Sequence, residues 1–326
     1  VQRASVTSDL STLAGAIETA NLAGESSPLR DSNNPVTVFA PVNSAFESID
    51  ADELTGNTDL LTEVLTYHVV DGAVTSDQLS SGNVQTLEGG SVSVQVDGDD
   101  VTVDGVPVST TDLQTRNGVV HLLGDPLLQG VDAVDRAVLT PQLSTTATAI
   151  QEAGLADSGS PLRGDGPLTL FAPADSAYEA LRVDEMTSQT SLLESILQYH
   201  VISGQRITSD QISSGESPAT LEGGTITINV EDDGTVTLNG IPVSTTDVQT
   251  ENAVIHLIDG VLLQRINAVE RASITAAFST LTDLVGQAGL ANALSGPGPD
   301  GEDGITVFAP TDAAFEGVDT SELSDS

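Results

Sequence analysis

Cysteine, lysine and tryptophan are absent from this chain of 326 residues. Without cysteine there is no disulfide framework and no thiolate nucleophile. A chain of this length still holds its folds together by core burial alone, so the lack of disulfides does not decide its compartment. Without lysine no phosphate-cradling GxxxxGK[ST] loop can be written, and no GxSxG elbow occurs. No apolar run reaches the ~18–20 residues that span a bilayer. The opening from Val1 carries neither a basic n-region nor an apolar h-region, which reads as mature or trimmed material. These absences leave an enzyme without its usual equipment, and the chain is read as a non-enzyme.

Positive charge is the other scarcity. Nine arginines face 48 acidic residues, a formal net charge of -39. Such a chain repels phosphate backbones and anionic lipid, so nucleic acid and membrane surfaces are poor partners. Acidity with no lysine fits work in concentrated salt, where screening shortens repulsion to a few ångström. A salt-adapted microbial source is the expectation.

What is present is repetition. TVFAPVNSAF (Thr37 to Phe46) returns as TLFAPADSAY (Thr169 to Tyr178) and as TVFAPTDAAF (Thr306 to Phe315). Tyr67-His68 returns as Tyr199-His200, and VPVSTTDLQT (Val106 to Thr115) as IPVSTTDVQT (Ile241 to Thr250). Phe39, Phe171 and Phe308 are 132 and 137 residues apart. Solenoid units run ~20–50 residues, whereas this period has the size of an independent domain. The expected domains are 1–130, 131–265 and a first half of a third, 266–326, with the three phenylalanines in like surroundings.

Within a unit the pattern alternates between helix and strand. Leu10, Leu13, Ile17 and Ala20 predict an opening helix, with counterparts at Leu143, Ile150 and Ala153 and at Phe278, Leu281 and Val285. In the recurring phrase, Val38 and Phe39 predict a strand that Pro41 ends. Asn43, Asp175 and Asp312 suit the N-cap of a helix that follows. Asp59 to Tyr67 and Ser191 to Tyr199 predict a further helix. Period-two alternation in Ser91 to Val96, Val101 to Val103, Val106 to Val108, Thr225 to Val230, Thr235 to Leu238 and Ile241 to Val243 predicts antiparallel hairpins. GVVHLL (Gly118 to Leu123) and AVIHLI (Ala253 to Ile258) are apolar enough for central strands.

Together, the TVFAPxNxAF phrase, the Tyr-His pair, the TLxGG turn (Thr86 to Gly90; Thr220 to Gly224) and the closing NGVVHLL/NAVIHLI segments resemble the fasciclin domain. The resemblance covers two whole units and the first half of a third. It implies an α+β fold of tandem domains, each a β-sandwich-like wedge of about seven strands with packed helices. It also implies an extracellular or cell-surface adhesion or matrix protein. In animal members the region around the Tyr-His pair is implicated in integrin binding, which makes Tyr67, His68, Tyr199 and His200 the candidate interaction residues. The acidity and missing lysine are unlike animal matrix proteins and argue against integrin itself.

Other candidates read as structural. His68, His121, His200 and His256 sit at paired repeat positions among apolar residues, the pattern of core histidines, and no HExxH spacing supports a metal. The turns Asp97 to Asp100 and Glu231 to Gly234, and the group Asp300, Glu302 and Asp303, offer at most weak calcium binding, because none has the twelve-residue calcium-loop spacing. No cofactor is expected.

The junctions Leu127 to Val138 and Leu262 to Ile274 are not flexible linkers; the last strand is expected to feed almost directly into the next helix and give a stiff rod. Val1 to Val6 matches Val269 to Ile274, as if the chain opens inside a junction. The half unit is expected to be covered by a longer array or by a neighbouring chain. The functional expectation is a structural or adhesive protein that self-associates head-to-tail into a filament or surface layer, with other surface proteins or glycans as further partners. A glycan- or lipid-binding module with a pocket between sheet and helices is the alternative.

Overall fold

A computed structural model describes residues 8–24, 27–30, 33–296 and 305–320. Residues 1–6, matched to a junction, and Asp300, Glu302 and Asp303 lie outside the described residues. The chain divides into two compact units, residues 1–144 with 249–253, and residues 145–248 with 254–326. The class is α+β with tandem domains, as the sequence implies.

The first unit opens with a 3-10 turn and helix α1 (Ser11–Thr19), which bury Leu10, Leu13, Ala16 and Ile17 at the predicted spacing. Strand β1 (Val36–Pro41) follows. Its alternation splits the interior: Val36 and Ala40 join the helix-side core, while Phe39 enters a second core on the opposite face. Helices α2 (Ala51–Gly56) and α3 (Thr58–Tyr67) come next, then β2 (Val69–Asp71), β3 (Gly82–Gln85), β4 (Ser91–Asp97), β5 (Asp100–Val103), β6 (Val106–Thr115), β7 (Gly118–Leu123) and helix α4 (Ala133–Val138).

The seven strands form one sheet in the order β2-β1-β7-β6-β5-β4-β3. Neighbouring strands pair antiparallel except β1 with β7, which run parallel with Phe39 opposite His121. A bridge from Val70 to Thr86 links the two ends, so the sheet curls into a wedge around the Phe39 core. The strand begun by Val106 to Val108 continues to Thr115, because two register shifts and a left-handed Asp112 (φ 62°) carry it past the polar STTD stretch.

The second unit repeats this plan with α5 (Ser144–Glu152), β8 (Leu168–Pro173), α6 (Val183–Thr187), α7 (Thr190–Tyr199), β9 (Val201–Ser203), β10 (Ile228–Val230), β11 (Val236–Leu238), β12 (Ile241–Gln249), β13 (Ala253–Ile258) and α8 (Ala268–Ile274). Its sheet has six strands, in the order β10-β11-β12-β13-β8-β9. The β3 counterpart shrinks to one bridge, Ala219 to Thr225, beside Pro218, which has no amide to offer a ladder. The strand predicted from Thr225 shortens accordingly to β10.

Four expectations are corrected. First, Asn43 and Asp175 begin 3-10 turns that have no side-chain cap. Each instead caps the opening helix of its unit from about thirty residues away in sequence. Thr12 N–H donates to Asn43 Oδ1 at 2.9 Å and Thr145 N–H to Asp175 Oδ1 at 2.8 Å. In the third copy Thr280 N–H donates to Asp312 Oδ1 at 2.8 Å and Ser279 Oγ–H to Asp312 Oδ2 at 2.7 Å, onto helix α9 (Ser279–Gln287). Second, a short helix, α4 or α8, stands in each junction in place of a direct strand-to-helix passage. Third, Thr306 to Pro310 forms no strand. A strand needs neighbours for its ladder, and none pairs with it among the described residues. Fourth, Phe39 and Phe171 are fully buried and each faces a histidine ring at 5.6 Å, but Phe308 is 92% exposed.

The long-range caps give the first prediction. Asn43→Ala and Asp175→Ala should each destabilise their unit by about 1 kcal/mol, while Asn43→Asp, which copies the other units, should be nearly neutral. Thermal unfolding of the three variants checks this; an unchanged Asn43→Ala would remove the cap from the account.

Candidate interaction site

Helix α3 is capped at its start by the Asn57 side chain, which accepts from Leu60 N–H. Its apolar face buries Leu60, Leu61, Val64 and Leu65 and delivers Tyr67 at its last turn. His68 ends the helix, and β2 begins at the next residue. Helix α7 delivers Tyr199 and His200 in the same way. The four candidate residues are 1–3% exposed, so none offers its side chain to a partner; each is an internal brace.

His68 joins two segments. Its Nδ1 lies 2.7 Å from Val64 O, and its Nε2 accepts Leu127 N–H at 2.8 Å. Since Nε2 accepts, the proton sits on Nδ1 and the ring is neutral. His200 copies this with Ile196 O at 2.7 Å and Leu262 N–H at 2.9 Å. Burial holds both imidazoles down at about 4, only partly offset by the backbone acceptor. The other two histidines also brace backbone: His121 Nε2 lies 3.0 Å from Val74 O, and His256 Nε2 2.7 Å from Ile207 O.

The tyrosines reach across to the hairpin β4–β5 and its counterpart, where the copies differ. Tyr67 Oη lies 2.9 Å from Asp104 Oδ2 and 3.0 Å from Ser91 O, two acceptors for one proton. Asp104 Oδ1 also accepts Ser93 N–H at 2.7 Å. In the second unit Asn239 Nδ2 donates to Tyr199 Oη at 3.0 Å, so that hydroxyl gives its proton to Thr225 O at 2.7 Å. Asp104 and Asn239 share the left-handed conformation, each at φ 49°. Burial, followed by the Asp104 charge, pushes the Tyr67 phenol far above its usual range. Burial also raises Asp104, against the pull of its hydrogen bonds from Ser93 and Tyr67. Sequence reading missed Asp104 and Asn239; Asp-Gly and Asn-Gly there signal only a turn.

The surface above each pair is the TLEGG turn. Leu87 N–H donates to Val69 O and Leu221 N–H to Val201 O, both at 2.7 Å. Leu87 is 36% exposed, an apolar side chain at the tip. A Cβ on Gly130 would meet the Tyr67 ring at 2.3 Å, so a side chain there would have to displace the ring from its present position. In the second unit Arg265 stands there and pairs with Glu222 of the turn at 2.9 Å.

A second polar joint recurs. Asp112 accepts Ser76 N–H at 2.8 Å and the Ser76 hydroxyl; Asp247 does the same with Ser209, also at 2.8 Å. Hydrogen bonds from Ser76 hold Asp112 below the usual carboxylate range. The turns Asp97 to Asp100 and Glu231 to Gly234 are exposed. Among the described residues no group of three His, Asp or Glu side chains is placed to hold a metal ion, and no helix is long and apolar enough to cross a membrane.

The comparisons agree with this repetition. The model of the fasciclin domain matches residues 8–129, 141–264 and 276–326. The chain is 30% identical over 293 residues to transforming growth factor-beta-induced protein ig-h3 of Sus scrofa, covering 86% of this chain and 41% of that protein. It is 31% identical over 292 residues to periostin of Homo sapiens, covering 88% and 33%. It thus spans less than half of either relative. A bacterial relative, immunogenic protein MPB70 of Mycobacterium bovis, is 41% identical over 118 residues, 34% of this chain and 61% of that protein. A solved FAS1 domain pair from the insect cell adhesion molecule Fasciclin I matches with a TM-score of 0.39 and 20% identity, over 78% of this chain and 97% of that one.

Two predictions follow from the braces. The folded-state value near 4 lies below the ordinary value of 6.5 for His68, so the unfolded chain takes up the proton first as pH falls. Stability is whole above about pH 6.5 and is lost toward pH 4, by about 1.4 kcal/mol per pH unit and on the order of 3 kcal/mol in all. Denaturant unfolding at pH 7 and pH 5 should show His68→Gln less stable at neutral pH yet less sensitive to acid; equal acid sensitivity would contradict the brace. The raised Asp104 has the opposite sign, costing stability above its unfolded value. Asp104→Asn, copying Asn239, should therefore raise the neutral-pH free energy of unfolding by about 0.5–1.5 kcal/mol and have little effect in acid.

Proposed function

The chain belongs to the fasciclin-domain family, and from that premise we propose that it is an extracellular structural or adhesive protein that works by repetition. The single observation that carries this reading is the threefold return of one unit along one chain. Matching histidine braces in two whole units support like surfaces in series, and many weak contacts in series give avidity. The proposed domains are 1–130, 131–265 and 266–326. Partners are further copies of the chain, end to end in a filament or surface layer, and other cell-surface proteins or glycans.

The contact region proposed in each unit is the TLEGG turn, with Leu87 and Glu88 in the first and Leu221 and Glu222 in the second. Tyr67, His68, Tyr199 and His200 act as positioning residues beneath it. The net charge of -39 supports a salt-rich setting, because crowding such chains side by side is tolerable only where their repulsion is screened.

The test is electron microscopy and sedimentation of the chain in concentrated and in dilute salt, with clustering of chain-coated beads as the adhesion readout. Filaments and clusters in concentrated salt, weakened by Leu87→Asp combined with Leu221→Asp, are the expected result. Isolated particles at every concentration and salt level, with unclustered beads, would remove the proposal.

A further inference from the structure

The two TLEGG turns carry the same carboxylate but differ in what it holds. In the second unit Glu222 Oε2 accepts Gly224 N–H at 3.2 Å and Arg265 Nε–H at 2.9 Å. The arginine stem lies flat on the glycine: a Cβ on Gly224 would meet Arg265 Cδ at 2.8 Å, Arg265 Nε at 2.9 Å and Tyr199 Cε2 at 2.9 Å. A glycine floor, a tyrosine edge and a carboxylate thus seat one guanidinium. The Arg265 side chain is still half exposed, so the pair stands at the surface.

The first unit keeps every part of this seat except the arginine. Glu88 Oε2 accepts Gly90 N–H at 2.8 Å, the pose that Glu222 takes. Tyr67 supplies the ring, but Gly130 stands at the position of Arg265. The atoms nearest a Cβ on Gly90 would be Glu88 Oε2 at 2.9 Å and Tyr67 ring carbons at 3.5 and 3.8 Å, so no atom fills the place of the arginine stem. Among the described residues no arginine pairs with Glu88. After burial and Asp135, the charge of Glu88 is the next cause that raises Glu63 to about 7, so this carboxylate still exerts its field. Gly89 and Gly90 are exposed, Glu88 is half-buried, and Leu87 stands beside them at the tip.

We propose that the TLEGG turn of the first unit is a receptor site for an arginine of a basic partner protein: the guanidinium pairs with Glu88 and the stem lies on Gly90 beside the Tyr67 ring, as Arg265 does within the second unit. Leu87 offers an apolar contact to whatever flanks that arginine. Charge selects the partner. A chain of net charge -39 draws basic segments from a distance and repels copies of itself. Arginine suits the seat better than lysine, because its planar group meets the carboxylate while its stem packs on the glycine floor. One exposed pair is worth little, so a single arginine binds in the roughly millimolar range and gains strength only where several are presented together. The second unit offers no such site, because its own arginine already fills the seat. The two turns are therefore unequal, one open to a partner and one closed. This inference deepens the reading of the turn as the contact region, and rests on that reading for any role in adhesion.

Titration of the isotopically labelled whole chain with acetyl-arginine amide tests the site, followed by NMR at the amides of Gly90 and Gly224. In the wild type the Gly90 signal should move and saturate while that of Gly224 stays still. Glu88→Gln should weaken the Gly90 response by about threefold or more. Arg265→Gly should open the second turn, so that Gly224 responds as Gly90 does. Acetyl-lysine amide should bind about half as tightly or less. Thermal unfolding confirms that each variant is folded. A Gly90 signal that stays still, or that responds equally in Glu88→Gln, overturns the site. Equal binding of the two probes overturns the choice of arginine. The exposed Arg116 gives a further arm. A Gly90 signal that moves with the chain's own concentration, and stops doing so in Arg116→Gln, would assign the seat to a second copy and overturn the basic partner. The bead assay keeps the two readings apart: clustering without a Gly90 response removes this site alone, and a Gly90 response without clustering removes the adhesive reading alone.

Discussion

One short carboxylate or amide, placed just after the recurring strand, ties each unit together. Asn43, Asp175 and Asp312 sit beyond the proline that stops the phrase, and their side chains meet the free amides of the opening helix. Those amides have no partner within their own helix. The opening helix is only nine residues long in each copy and would be marginal alone. Docking its first turn onto the phrase sets where its apolar stripe lands, and that stripe builds one of the two cores. The third copy shows that the tie is separable from the sheet. Its phrase forms no strand and Phe308 lies open, yet Asp312 still holds Ser279 and Thr280.

Repetition with small exchanges then tunes the copies. An acid at Asp104 and an amide at Asn239 meet the same tyrosine from the same backbone conformation, but the proton runs in opposite directions. Pro218 costs the second sheet one strand without moving the brace beneath the TLEGG turn. Gly130 lets the first junction slide past a tyrosine ring, whereas Arg265 pairs with the turn. In each case a surface property changes while the core is kept.

Much of this was legible in the sequence. Apolar periodicity located the helices, alternation located the hairpins, and GVVHLL and AVIHLI gave their strand limits unchanged. The candidate pair Tyr67-His68 was found by recurrence, but its burial was not, because recurrence marks a shared constraint and does not say whether that constraint faces water. The caps were misplaced for a related reason. Propensity says that Asn or Asp before a helical run satisfies amides, not whose amides. The length of β6 was hidden by STTD, which reads as a turn until a bulge and a left-handed aspartate keep it in the ladder. Asp104 could be seen only in three dimensions.

The charge distribution gives the fold its logic. Acidic side chains crowd the surface, while both unit interiors are organised by neutral imidazoles that would be costly to ionise. A core joint built from a neutral ring, donating through one nitrogen and accepting through the other, makes no net field and adds nothing to the repulsion outside. Carboxylates that penetrate inward, such as Asp104 and Glu63, are the ones whose protonation is disturbed, because burial removes the water that would stabilise their charge. A chain so acidic can therefore close its interior joints with neutral rings, amides and apolar contacts, as at His68 and Leu127, and it meets its own charge as an obstacle wherever a carboxylate penetrates inward, as at Asp104.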